Sequence, residues 1–173
     1  RQAGEVAELD VMRGWRQMVQ ISETGRGHNY RVASEGSTSP LPLTASGRFL
    51  LDGVARPEMR KNLSPEDYVM ADGSTLSLDE LCEHIERARQ QGYWVASGLI
   101  DPYIACIASP VRDRQERCIG AVCLVVPLPE MAHRKDEFIA MTCAAAQDLT
   151  RILRTTSRVE PAFTPVPPRK KLP

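Results

Sequence analysis

Five cysteines and three histidines are the residues of this chain best suited to chemistry, and their spacing limits what they can do. Cys82, Cys106, Cys118, Cys123 and Cys143 are irregularly spaced and form no C-x-x-C pair. The closest cysteine and histidine, Cys82 and His84, fall in a stretch of helical periodicity, where i and i+2 do not face each other. The spacing therefore predicts free thiols in a reducing compartment, and no zinc. His28 lies in a polar loop, His84 among Glu83 and Glu86 on a solvent-facing helix, and His133 beside a charged helix start. None is placed to activate Cys106 or Cys123 as a nucleophile. Gly25-Arg26-Gly27 neither follows a buried strand nor opens a helix, so it is no phosphate loop. The expectation is a binding module rather than an enzyme, without cofactor, metal or catalytic residue.

The cysteines most interesting for binding sit in the stretch that organises the chain, Gly92 to Pro127. Two runs rich in Ile and Val, Tyr103 to Val111 and Cys118 to Val126, flank the charged segment RDRQER. This predicts an antiparallel hairpin at the centre of a sheet. Ile104, Cys106 and Ala108 face one way, Ala105, Ile107 and Ser109 the other, and both sets are apolar enough to need covering. Ala105, Cys106, Ala108, Gly120, Ala121 and Cys123 are small. They leave room for closely packed helices or for a ligand, with tight packing the commoner outcome.

Around this hairpin the pattern predicts a strand over Glu5 to Met12 with Glu5, Glu8 and Asp10 on a wet face, a turn at Arg13-Gly14, and a return strand over Trp15 to Ser22. A short third strand is expected over Tyr30 to Ala33. Leu43 to Val54 reads as a helix capped by Thr44, in which Gly47 costs about 1 kcal/mol relative to Ala unless a close contact offsets it. Ser64-Pro65 opens another helix. Ser77-Leu78-Asp79-Glu80 is a capping box, and the apolar stripe Leu78, Leu81, Cys82, Ile85 and Ala88 runs from it to Gly92. Phe138, Met141, Ala145, Leu149 and Ile152 mark a long amphipathic helix over Arg134 to Leu153. Residues 155–173 are proline-rich and basic, and read as a disordered tail.

With 173 residues, one domain is the default. The 22 basic and 22 acidic residues cancel, so this chain by itself should not grip DNA. No apolar run reaches the length of a membrane span and no signal peptide opens the sequence, which points to the cytoplasm.

Several segments in order carry a resemblance: PLPLTASGRFLL (Pro40 to Leu51), a helix ending in Gln91-Gly92-Tyr93, CIASPV (Cys106 to Val111), a charged turn, and a strand ending VCLVVP (Val122 to Pro127). Together they resemble the effector-binding domain of the IclR family of bacterial transcription regulators. The resemblance implies an α+β fold, a central antiparallel sheet flanked by helices of GAF/profilin-like type, over residues 1–154. It implies a small-molecule effector held at Ala45, Ser46, Ala96, Ile104, Cys106, Cys123 and Val125. Family members that bind small carboxylic acids carry an acidic run after the QGY tyrosine and serines on the last strand. Here Ala96-Ser97-Gly98-Leu99, Cys123 and Val125 stand instead, so a larger, partly apolar acid such as an aromatic one is expected. The family's N-terminal winged helix-turn-helix is expected to be absent from this chain, with operator DNA bound through it and the whole protein a dimer or tetramer. A free-standing GAF-type sensor with another output, and a thiol-based redox sensor on Cys106 or Cys123, remain as alternatives.

Overall fold

In the computed structural model, residues 3–25 and 33–156 are described. The first hairpin joins Val6–Arg13 (β1) to Arg16–Glu23 (β2). Gly14 and Trp15 form its turn, both at positive φ (57° and 64°), the left-handed pair that a two-residue connection between twisted strands requires. The second hairpin, Ile104–Arg112 (β5) and Cys118–Pro127 (β6), is the one expected at the centre. With the short strands Thr38–Pro40 (β3) and Trp94–Ser97 (β4), the sheet runs β3-β2-β1-β6-β5-β4, all neighbours antiparallel. The fold is α+β, with helices on both faces of this sheet.

One face is covered by the helix Leu128–Thr155 (α4), interrupted at Arg134 by a non-helical backbone (φ −128°). Ala105, Ile107, Leu124 and Val126 from the sheet pack there against Met131 and Phe138. The buried stripe of α4 differs from the expected one. Ala145 is exposed and Ile152 is 53 % exposed, whereas Thr142 and Ala146 are buried and Leu153 packs beside Val111 and Val122. A polar residue, Thr142, holds the centre of the stripe because its hydroxyl donates to Phe138 O at 2.8 Å, leaving nothing unsatisfied.

The opposite face carries the segment 40–54 and the helix Leu78–Gln91 (α3), which keeps its expected capping box at Ser77 and Glu80 and its left-handed cap at Gly92. The single helix expected over Leu43 to Val54 is instead a 3-10 turn at Leu41–Leu43 and a four-residue helix, Gly47–Leu50 (α1). Ser46, not the expected Thr44, is the N-cap of α1, without a side-chain cap bond, while Thr44 Oγ1 accepts from the Gly47 N–H at 3.0 Å. A further helix, Arg56–Asn62 (α2), was not evident from periodicity, having Met59 as its one buried residue. The Ser64-Pro65 start yields only a 3-10 turn to Tyr68. The third strand is Thr38–Pro40, within the serine-rich segment. Tyr30 to Val32, where that strand was expected, lie outside the described residues, as do His28 and residues 157–173 of the expected tail.

Gly47 is where segment 40–54 closes on itself. A Cβ there would lie 1.9 Å from Leu41 O and 2.9 Å from Thr44 Oγ1. The next residue, Arg48, is fully buried and stitches the same turn, its Nη1 donating to Pro42 O (2.5 Å) and Thr44 O (3.0 Å). Helix propensity alone favours Gly47→Ala by up to about 1 kcal/mol, but the backbone carbonyl cannot yield without opening the turn. Gly47→Ala is therefore expected to lower stability by roughly 1–3 kcal/mol in urea titration; a gain would show that this close approach does not constrain the fold.

Candidate functional site

On the face opposite α4, the strands and segment 40–54 enclose a cavity of about 150 Å³. All seven residues singled out from the sequence line it. Ala45 and Ser46 come from the turn before α1, Ala96 from β4, Ile104 and Cys106 from β5, and Cys123 and Val125 from β6. The register explains the convergence: Cys106 is opposite both Ala96 and Val125, and Cys123 is opposite Ala108 on the next rung. Leu99, Ile100 and Asp101, from the β4–β5 connection, close the side.

The sequence reading missed the acidic part of this site. Glu8 and Asp10 are not on a wet face: they are 8 % and 2 % exposed and line the cavity with Gln17 and Val19 of β2. The alternation of β1 is real, but β1 is a central strand and both its faces are covered. Ala7 and Leu9 pack on the α4 side, which leaves the acids inward. The available signal was a charged strand beside an apolar hairpin; what periodicity could not supply was that this strand pairs with β6, placing Glu8 opposite Cys123.

Burial governs the electrostatics. It pushes the Glu8 carboxyl up to about 8, helped by the neighbouring Asp10. It pushes Asp10 up to about 6, against hydrogen bonding that favours the charged form. The Ser46 hydroxyl donates to Asp10 Oδ2. Gln17 and Cys123 stand close as well, yet Oδ1 is buried without a partner in hydrogen-bond geometry. The Cys123 thiol is raised by its contact with Cys106 and by burial, the opposite of what a thiol-based redox sensor needs. No Lys, Arg or His lines this cavity among the described residues.

His84 also departs from expectation. It is half-buried, stacks on Trp94 with ring centroids 4.7 Å apart, and faces Arg48 Nη2 through Nδ1 at 3.3 Å. Burial and then Arg48 lower its pKa, so it serves as a neutral prop for the buried guanidinium. A larger groove of about 500 Å³ lies between β5 and the end of α4. Its arginines are already engaged: Arg112 with Asp52, Arg151 with Asp148, and Arg154 with Glu116. It offers no comparable convergence.

The acids make stability depend on pH. Both folded-state values are raised, so between about pH 4 and pH 8 the folded chain holds protons that the unfolded chain has released, and stability falls as pH rises through that window. The slope is about 1.4 kcal/mol per pH unit for each extra proton held. Melting curves in metal-free buffer should show this decline, and Glu8→Gln should flatten it; a pH-independent melting temperature would mean that the carboxyls are solvated.

The family model described as bacterial transcriptional regulator IclR C-terminal matches residues 1–151. The HTH-type transcriptional regulator KdgR of Dickeya chrysanthemi is 30 % identical over 136 residues, covering 77 % of this chain and 45 % of that protein. XynR of Escherichia coli, also an HTH-type transcriptional regulator, is 27 % identical over 126 residues, covering 72 % and 50 %. The chain thus spans about half the length of these relatives. Among solved structures, the C-terminal domain of E. coli KdgR superposes with a TM-score of 0.74 at 23 % identity, covering 88 % of this chain and 90 % of that one. The Thermotoga maritima IclR gives 0.75 at 21 %, covering 88 % and 62 %. These are regulators, not enzymes, and on the extent of the family match this chain belongs to the IclR family of bacterial transcriptional regulators, as its C-terminal domain.

Proposed function

We propose that this domain is the sensing part of an IclR-type regulator, and that its effector binds in the cavity between the sheet and segment 40–54. The observation that carries this reading is the convergence of seven residues from four separate chain segments on one space, beside two buried acids that a plain core would not retain. Apolar walls from Leu43, Ile104 and Val125, with few polar groups, suit a small and partly apolar metabolite. A carboxylic acid, aromatic or aliphatic, would be anchored by protonated Glu8, since no cationic side chain lines the wall among the described residues and the Ser46 and Thr44 hydroxyls already donate to Asp10 and to Leu41 O.

In this reading operator DNA is bound by an N-terminal winged helix-turn-helix of the full-length regulator, which works in the cytoplasm as a dimer or tetramer. The relatives' designation as HTH-type regulators, and the half of their length that this chain matches, support that division of labour. Among the described residues no helix is long and apolar enough to cross a membrane.

Cys106 lines the cavity while only half-buried, so enlarging it fills the cavity at limited cost to the fold. A panel of aromatic, aliphatic and sugar acids should contain compounds that raise the melting temperature of the wild-type chain. Cys106→Phe should melt near the wild type and lose that response. If no compound stabilises the wild type, or the variant responds equally, the effector does not bind here.

A further inference from the structure

The cavity gathers three potential metal-ligating side chains that point to an occupant besides an organic effector. Glu8 and Asp10 occupy alternate positions of β1, on the same face, and Cys123 is the register partner of Glu8 on β6. One carboxylate oxygen from each acid and the Cys123 Sγ lie within 4.8 Å of one another, and all three residues are buried. Their placement is set by backbone pairing between two central strands rather than by mobile loops.

Two further observations are independent of the clustering. Asp10 is 2 % exposed, and its Oδ1 has no hydrogen-bond partner. Gln17 and Cys123 stand close to the Asp10 carboxyl, but neither meets hydrogen-bond geometry at Oδ1, so this buried oxygen loses its hydration without a well-formed bond in return. The cavity that these residues line also carries no Lys, Arg or His to balance them among the described residues. Arg48, the buried guanidinium of α1, does not line the cavity; its Nη groups bond Pro42 O, Thr44 O and His84, and its Nε has no partner.

We propose that Glu8, Asp10 and Cys123 bind a divalent transition-metal ion of the zinc type in the effector cavity. One thiolate and two carboxylates are a mixed set suited to a borderline-soft ion, and unsuited to Mg²⁺ or Ca²⁺, which take oxygen ligands alone. Zinc–oxygen bonds of about 2.0–2.2 Å and zinc–sulfur bonds of about 2.3 Å need ligand atoms roughly 3.3–3.8 Å apart in a tetrahedron. Ligand atoms already within 4.8 Å reach this by small side-chain rotations. Binding forms an Sγ–metal bond and breaks the Cys123 S–H bond. The thiol proton, and any proton on the acids, leaves to solvent, and no electron is transferred.

Three protein ligands leave a fourth position, and the adjoining cavity is where it opens. An acidic or hydroxylated effector completes the shell there. This part of the inference rests on the effector reading above, with coordination to the ion taking the place of the hydrogen bond from protonated Glu8. The metal site itself rests on geometry alone and can stand without it.

The test is titration of the chelator-treated chain with Zn²⁺, followed by equilibrium dialysis and elemental analysis, and with Co²⁺, followed by absorption spectroscopy. One equivalent of metal should be retained, and the cobalt form should show a thiolate-to-metal charge-transfer band. Cys123→Ser should abolish the band. Glu8→Gln and Asp10→Asn should keep it while weakening affinity tenfold or more. Cys143→Ser, remote on α4, should change nothing. Circular dichroism of each metal-free variant shows that it is folded; if Cys123→Ser is not, the two nearly isosteric acid variants decide. Failure of the wild type to retain stoichiometric metal, a band surviving in folded Cys123→Ser, or unchanged affinity in both acid variants would overturn the site. Running the acid panel on the metal-free chain separates the two readings. An acid that stabilises a chain unable to bind metal leaves the effector reading standing without the ion, whereas metal retention with no acid response leaves the ion without the effector.

Discussion

The pairing of β1 with β6 is the interaction on which the rest of this domain depends. It joins the first strand of the described chain to the last and makes one six-stranded sheet of two hairpins. Along the paired stretch both faces are covered, by α4 on one side and by segment 40–54 on the other. The α4 side takes Ala7 and Leu9, and the other side must accept Glu8 and Asp10. Ionised acids in such a place cost several kcal/mol each without compensation. Their raised affinities for protons are one response to that cost, and the Ser46 hydroxyl on Asp10 is another.

Segment 40–54 is shaped by the same demand for coverage. Its small residues let it lie close over the sheet, where Ala45 and Phe49 meet Trp94, Ala96, Ala108 and Ala121. A longer helix would have filled the space over Cys106 and Cys123. Breaking it into a 3-10 turn and one α-helical turn leaves a hollow, and Gly47 and Arg48 hold the break in place. The cavity is thus the gap left where a covering element is kept short, rather than a feature carved into the sheet.

What could be read from the sequence follows from how local each signal is. The capping box at Ser77, the left-handed Gly92 and the apolar hairpin all announce themselves within a few residues, and they stand where expected. The seven cavity residues came from motif positions in a family resemblance, and strand register brings them together. Glu8 and Asp10 escaped because their local pattern is that of a strand with one solvated face; only pairing with a strand more than a hundred positions away makes it false. His84 was misplaced for a similar reason, since its aromatic partner Trp94 lies beyond the end of its helix. The α4 stripe shifted because a backbone break at Arg134 and a self-satisfied Thr142 are invisible to a count of apolar residues.

The sheet's order also sets a schedule for its formation. β1 can pair with β2 across a two-residue turn almost as soon as both exist, but its other edge stays open until β6 has been made. Throughout that interval a strand bearing two acids on one face presents unpaired backbone groups to its surroundings. Charge on an open edge discourages association with other chains. The β1–β6 pairing is the contact of greatest sequence separation in the sheet, the kind of non-local contact whose loop-closure entropy slows folding, and until it forms the two acids of β1 lie on an open edge.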